Sequence, residues 1–209
     1  MNKYVLLAGA AVVAFATSAS AFEMTPYAAL RGSWDFTRNN MVAGNRGDDM
    51  KVKFNDGVWG AHVALGAKHG AFRVETEYNT SKTAHKKVDI DGTGKFNMRT
   101  ESILVNAYWD INTCSRFTPY VSAGAGLAKL NFRVKSEDMV MKANPSNFAW
   151  QVGAGVSYAA TDSIDVDLGY RYMDYGDFEE EYRVPGVLYE KFDYEPHAHE
   201  FLLGVRYEF

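Results

Sequence analysis

Three things are scarce in this sequence. It has one cysteine, Cys114, among 209 residues, so no internal disulfide can hold the chain together. Basic residues are not in excess, with 22 Lys and Arg against 26 Asp and Glu, whereas a nucleic-acid partner needs a clustered basic surface. Beyond the N-terminus, no stretch approaches the roughly 20 apolar residues of a membrane-spanning helix. Disulfide-framework, nucleic-acid-binding and helical membrane proteins are therefore disfavoured.

The N-terminal segment does have a long apolar run. Lys3 gives a positive start, residues 4–17 are largely apolar, and Ala19 and Ala21 form a small-x-small cleavage site. This pattern is typical of a secretory signal peptide, and the run is short for a membrane anchor. We expect residues 1–21 to be removed as a helical signal peptide and residues 22–209 to form one domain.

After Phe22 the hydrophobic pattern changes to a period of two, which is typical of strands with two different faces. Eight segments show it, each close to the roughly 9–11 residues of a tilted membrane strand. They lie at about 27–36, 58–68, 72–79, 102–109, 120–127, 148–158, 164–172 and 199–209. The predicted fold is all-β, an eight-stranded antiparallel up-and-down transmembrane β-barrel.

The connections alternate between long and short. The long ones lie at about 37–57, 80–98, 131–146 and 174–197, and the short ones at 69–70, 111–117 and 159–163. Barrels of outer membranes combine long external loops with short periplasmic turns. The alternation therefore predicts that both termini face the periplasm.

Aromatic residues recur near both ends of the apolar strand faces, where amphipathic rings favour the membrane interfaces. The predicted girdle residues are Trp34, Trp59, Trp109, Trp150, Tyr158, Tyr170 and Tyr172. A soluble lipocalin-like barrel or sandwich would show a similar alternation inside out. The girdles and the asymmetry of the loops favour the membrane barrel.

The opposite strand faces carry charges that would point into the lumen. The predicted lumen charge network is Arg31, Arg73, Glu75, Glu77, Asp167, Arg171, Glu200 and Arg206, with Asp35, Asp165 and Glu208 on the same faces. Buried charges must pair, and Arg73 is the expected partner of Glu75 and Glu77 on its own strand. An eight-stranded barrel leaves room only for side chains, which favours a filled lumen over a gated pore.

Three segments and the last strand resemble a known family. They are PYVSAGAG at 119–126, AWQVGAGV at 149–156, DVDLGYRY at 165–172 and FLLGVRYEF at 201–209. In them the chain is similar to the small outer-membrane barrels grouped with the opacity proteins and the OmpA-type eight-stranded barrel, porin-like proteins of Gram-negative cells. The resemblance implies an outer-membrane location among lipid and lipopolysaccharide. It also implies that Tyr207 and Phe209 are the signal read by the barrel-assembly machinery.

No pattern in the sequence indicates an enzyme, a cofactor or a metal site. His197 and His199 lie near the rim, but no nucleophile is spaced beside them, and two ligands alone are weak evidence for a metal. Function should then lie in the loops, of which 174–196 is acidic and aromatic and 80–98 is basic. We expect a structural surface protein that acts as an adhesin or antigen and contacts a host or partner. A narrow porin-like channel is second, and a lipid A-modifying enzyme is third.

Overall fold

The computed structural model describes residues 24–45, 48–82, 87–89, 93–135, 140–143, 146–176, 178–182, 190–194 and 197–209. The predicted signal peptide, with Ala19 and Ala21, lies outside these residues and stays a prediction. Within the described ranges the strands are β1 (Thr25–Asn45), β2 (Asp48–His69), β3 (Phe72–Lys82), β4 (Lys87–Asp89), β5 (Thr93–Asp110), β6 (Phe117–Lys135), β7 (Val140–Ala143), β8 (Ser146–Ala159), β9 (Ile164–Asp174), β10 (Phe178–Tyr182), β11 (Glu190–Tyr194) and β12 (His197–Glu208).

Eight of these strands close into a barrel. The order of hydrogen-bonded neighbours is β1, β12, β9, β8, β6, β5, β3, β2 and β1 again, and every pairing is antiparallel. Trp34 in β1 shows the closure, because its register partners are Trp59 in β2 and Phe201 in β12. Closure leaves none of these eight strands with an unpaired edge within the barrel. The predicted fold class is confirmed.

The two faces of each barrel strand lie in different environments. In β3, Phe72 is 63% exposed while the next residue, Arg73, is 1% exposed. The same alternation runs along β12, where Phe201, Leu203 and Val205 are exposed and Glu200 is buried. Apolar side chains therefore cover the outside and polar side chains fill the inside, as the two-residue period predicted. Within the described residues, no helix is long and apolar enough to cross a membrane.

The long connections were predicted as loops, and this was wrong for much of their length. β1 and β2 stay paired as far as Asn45 and Asp48, and β5 and β6 as far as Lys95 and Lys135. Shorter strands add to these extensions, with β11 on β1, β10 on β11, β4 on β5 and β7 on β6. A hairpin beyond the membrane needs no lipid-facing apolar row, so the period that identified the barrel strands is not required there.

The short connections lie at the opposite end of the barrel, as predicted. Gly70 makes the β2–β3 turn with a φ of 57°, a left-handed conformation that glycine adopts without strain. The β5–β6 connection holds Cys114, an exposed free thiol with a φ of 54°. This end of the barrel is therefore compact, whereas the other end carries the extended hairpins.

Candidate functional site

The predicted lumen charges all lie on inward faces of barrel strands. Each is at most 6% exposed, and the set is Arg31, Arg73, Glu75, Glu77, Asp167, Arg171, Glu200 and Arg206. Inside a barrel the alternation of strand residues brings every second side chain from all eight strands into one narrow volume. The lumen is thus the largest concentration of buried charge among the described residues, and its contacts decide whether anything can pass.

Glu75 is the hub in the middle of the lumen. Arg31 donates from Nη1 to Glu75 Oε1 and from Nη2 to Oε2, both at 2.8 Å, which is a bidentate pair. Tyr108 donates its hydroxyl to Oε1 at 2.7 Å and Tyr27 donates to Oε2 at 3.0 Å. Asn106 adds an amide donor at 3.4 Å. Three strands, β1, β3 and β5, are therefore tied together at one carboxylate.

Arg171 connects opposite walls of the barrel. It donates from Nη1 to Glu77 Oε1 at 2.7 Å and from Nε to Glu200 Oε2 at 2.6 Å. Its Nη2 lies 3.2 Å from His62 Nδ1. Arg31 reaches the other oxygen of Glu77 at 3.0 Å, so the Glu75 hub and the Arg171 contacts form one continuous network.

Arg73 does not pair with the acids of its own strand, contrary to the prediction. Its Nε and Nη2 donate to Asp110 Oδ1 in β5 at 3.0 and 2.7 Å. Its guanidinium lies over the rings of Tyr108 and Tyr120, at 4.5 and 5.0 Å from their centroids. Successive inward residues on one strand lie about 7 Å apart, so a neighbouring strand offers a closer partner.

The turn end of the lumen, which has the short connections, contains a second and smaller group of paired charges. Arg206 donates from Nη2 to Asp165 Oδ2 at 2.7 Å, and its Nε lies 3.6 Å from Glu208 Oε1. Lys68 donates to the same Glu208 oxygen at 3.2 Å. Asp167 accepts from Ser157 at 2.6 Å and lies 4.0 Å from both Arg31 and Arg206. Asp167 therefore bridges this group to the central network.

Little space remains between these side chains. A cavity of about 20 Å³ lies beside Arg31, Glu77, Asp167 and Arg171, room for a water molecule or two. Toward the hairpin end, an apolar cluster closes part of the bore, made up of Leu104, Ala128, Ala149, Met173, Tyr175 and Ala198. Glycines make room for the larger rings, since a Cβ on Gly155 would lie 2.5 Å from the Tyr120 hydroxyl. Along the described residues the bore is filled by packed, buried side chains.

Several residues of this network were not singled out from the sequence. Asp110 and His62 share the inward parity of their strands, which could have identified them. Tyr175 lies after β9, in the predicted fourth loop, but its burial in the lumen was not foreseen. It is buried and donates to Glu200 Oε1 at 2.9 Å. It follows Arg171 and Met173 in the series of inward-facing residues of β9, so its face could be predicted from the sequence. Its partner, Glu200, is visible only in the folded barrel.

The predicted girdle aromatics lie on the outer surface near the two ends of the barrel strands. At the hairpin end, Trp34 and Trp59 meet edge to face with ring centroids 4.5 Å apart, and Trp150 and Tyr172 are 5.6 Å apart. At the turn end, Tyr158 lies 5.0 Å from the Phe117 ring, and Trp109 is exposed. Tyr207 and Phe209 also meet there, at 5.2 Å.

The two rim histidines belong to the hairpin-end aromatic group. His199 Nδ1 lies 2.6 Å from the Tyr170 hydroxyl, and the two rings stack at 6.1 Å. Tyr170 also contacts Phe201, at 5.3 Å. In the part of the chain that the structure describes, no three His, Cys, Asp or Glu side chains are arranged to hold a metal ion.

Comparison with known proteins agrees with this architecture. The family model described as outer membrane protein beta-barrel domain matches residues 5–209, and the chain belongs to this family. Outer membrane protein PagN of Salmonella typhimurium is 27% identical over 197 residues, which cover 83% of this chain and 81% of that relative. A Rickettsia conorii protein provisionally named as an adhesin is 26% identical over 158 residues, which cover 68% of this chain and 60% of that relative.

A solved structure supports the fold. The crystal structure of Neisserial surface protein A superposes with a TM-score of 0.60 at 21% identity, covering 88% of this chain and 97% of that one. The family and the closed barrel together place this protein in the cell outer membrane, as the sequence predicted. It is a structural outer-membrane β-barrel protein of the cell surface.

Proposed function

We propose that this protein is an adhesin-type anchor without enzymatic activity, whose barrel conducts no solute and whose external hairpins bind a ligand outside the cell. The observation that carries the proposal is the filled lumen, in which Arg171 in β9 reaches across to Glu77 in β3 on the opposite wall. A bore filled in this way leaves the external side as the part of the molecule free to meet a partner.

The length of the strands supports a role for the external side. β1 and β2 contain 21 and 22 residues, whereas about 9–11 tilted residues cross a membrane. Residues 37–45 continue beyond Trp34 and Phe36 of the hairpin-end girdle, which at about 3.3 Å per residue corresponds to roughly 30 Å of paired strand. A structural plug alone would not require such extensions.

The register of the second extension favours an anionic ligand. β4, β5, β6 and β7 pair side by side outside the girdle. The register sets Lys95 opposite both Lys87 and Lys135, and Arg133 opposite Lys142. We propose that a sulfated or phosphorylated polysaccharide binds the basic residues that this register brings together.

Matched hairpin truncations test the proposal on cells that display the protein. One variant joins Lys82 to Arg99 through Asn-Gly in place of 83–98. The other joins Arg38 to Asn55 in the same way in place of 39–54. Each pair consists of register partners, so both barrels should close, and the deletions are equal in length. We expect adhesion to cultured cells and to heparin-coated beads to be lost in the first variant and kept in the second.

The controls separate the parts of the proposal. The mobility of unboiled protein on gels shows that each variant is folded. If both truncated variants adhere like the intact protein, residues 39–54 and 83–98 do not carry the adhesive function. If cells are bound but heparin is not, the anionic ligand is wrong while the adhesive role stands. Added salt should weaken heparin binding, because that binding is electrostatic.

We also propose that Tyr207 and Phe209 are read by the barrel-assembly machinery, and that export removes residues 1–21. Both residues are exposed near the turn end, where an assembly factor could reach them. Phe209→Ala should lower the amount of folded protein in isolated outer membranes, while refolding into lipid vesicles is unchanged. Equal losses in both experiments would indicate a folding defect instead.

Mass spectrometry of the mature chain should show that it begins at Phe22.

A further inference from the structure

Two carboxylates face each other near the hairpin end of the lumen. Asp35 in β1 and Glu200 in β12 are register partners, and they are 3% and 0% exposed. Opposite residues in antiparallel strands have Cα atoms about 4.5–5.5 Å apart, and their side chains share one face. Two ionised carboxylates cannot remain this close in a buried site unless positive charge compensates both.

The nearby positive charge is already committed to Glu200. Arg171 donates from Nε to Glu200 Oε2 at 2.6 Å, and its other nitrogens face Glu77 and His62. Tyr175 donates to the second oxygen of Glu200 at 2.9 Å. Glu200 thus accepts hydrogen bonds on both oxygens, whereas no cation among the described residues forms an ion pair with Asp35.

Three buried polar atoms around Asp35 lack a hydrogen-bond partner. They are Asp35 Oδ1, Ser33 Oγ and His62 Nε2. They also converge, because a Cβ on Gly60 would lie 2.2 Å from Ser33 Oγ, 3.2 Å from Asp35 Oδ2 and 3.3 Å from His62 Nε2. The charged and titratable groups facing Asp35 are therefore Glu200 from β12, His62 from β2, Arg171 from β9, and Tyr175 beyond β9.

We propose that this cluster is a proton-binding site, in which Asp35 is a neutral carboxylic acid that donates a hydrogen bond within the cluster while Arg171 and Tyr175 bind Glu200. A proton fits better than a metal ion, since the described side chains form no group arranged to hold one. Glu200 also binds Tyr175, which stands three residues before β10 of the fourth external segment. Loss of the proton would place a negative charge on Asp35 beside Glu200. The repulsion would weaken the hydrogen bond between Glu200 and Tyr175.

The proposal requires stability to depend on pH in a particular direction. Unfolded Asp titrates near pH 4, so above that value the folded barrel would hold a proton that the unfolded chain releases. The free energy of unfolding then falls as pH rises, by up to tenfold in the folding equilibrium constant per pH unit. An ionised Asp35 with a cationic partner would instead contribute a rise in stability only as pH rises toward about 4, and no slope above that value.

Urea unfolding of the refolded protein in lipid vesicles between pH 5 and pH 8 tests this. We expect the unfolding midpoint of the unmodified protein to fall relative to that of Asp35→Asn as pH rises. At pH 8, Asp35→Asn should be at least as stable as the unmodified protein. The matched control is Asp110→Asn, which removes an acid paired with Arg73 and should be less stable at that pH. Parallel pH profiles for the unmodified protein and Asp35→Asn would overturn the proposal.

A second arm distinguishes a proton from an alkali cation. The pH 8 measurement is repeated with sodium chloride or potassium chloride in place of choline chloride. If either cation restores the unmodified protein but not Asp35→Asn, the site binds a metal cation and the proton assignment is wrong. Equal stability in all three salts, together with the pH slope, supports the proton. Neither the pH series nor the salt series measures adhesion, so both outcomes are independent of the proposed ligand binding.

Discussion

Arg171 donates to Glu77 across the lumen at 2.7 Å, although 94 positions separate them in the sequence. They stand on β9 and β3, which lie four strands apart in either direction around the barrel. This contact therefore joins diametrically opposite walls. Because both side chains are buried, it closes the bore at the level where they meet.

Removing one partner of this contact should cost more stability than removing both. Arg171→Met leaves Glu77 and Glu200 without their shared cation, and loss of one partner of a buried pair costs about 3–5 kcal/mol. Adding Glu77→Gln to the same chain removes one of the two carboxylates that lost this cation. In urea unfolding in vesicles, the double variant should therefore lose less unfolding free energy than the sum of the losses of the two single variants. Strict additivity would mean that the two residues do not interact.

The purified barrel should be electrically silent. Paired charges and an apolar cluster fill the lumen along the described residues, so we expect them to block ion flow. We expect no discrete channels in planar bilayers from protein whose folding is verified by gel mobility. Arg171→Ala, which removes the cross-lumen side chain, is the variant for which brief openings are expected. Steady channels from the unmodified protein would instead favour the narrow porin-like function.

Two glycines in barrel strands should tolerate alanine very differently. A Cβ on Gly155 would lie 2.4 Å from the Leu168 carbonyl and 2.5 Å from the Tyr120 ring, whereas a Cβ on Gly32 meets nothing within 4 Å. Gly155→Ala should lower the free energy of unfolding by about 1–3 kcal/mol, the usual cost of overpacking. Gly32→Ala should be nearly neutral. Equal effects would show that space inside the lumen does not limit residue 155.

The aromatic girdles should lie at the two interfaces of the membrane. Variants retaining a single tryptophan, either Trp59 or Trp109, can be refolded into vesicles with lipids brominated at known depths. Both should be quenched most strongly by the shallow bromines, because amphipathic rings favour the interfaces. Leu168→Trp in a chain without other tryptophans is the control for the middle of the membrane, since Leu168 is exposed midway along β9. Deep quenching of Trp59 would contradict the girdle.

The sequence identified the barrel strands because a membrane and a filled lumen impose opposite chemistry on alternate residues. Phe72 and Arg73, or Phe201 and Glu200, show this alternation, and the closed eight-stranded sheet agrees with it. The extension of β1 and β2 to Asn45 and Asp48 was not foreseen. Outside the membrane, backbone hydrogen bonds can maintain strand pairing without a lipid-facing row, so no two-residue period is required in the sequence.

The charged residues of the lumen were likewise visible in the sequence, but their partners were not. Alternation gives the face of Arg73, Glu75 and Asp110, yet it says nothing of which inward side chains meet. That depends on the stagger of eight strands, which brought Arg73 to Asp110 and Arg31 to Glu75. The sequence by itself thus determined a membrane barrel with a polar interior, through a period that each strand shows locally. Only the tertiary structure decided which side chains fill the bore and that no described cation forms an ion pair with Asp35, because both depend on contacts between residues far apart in the chain.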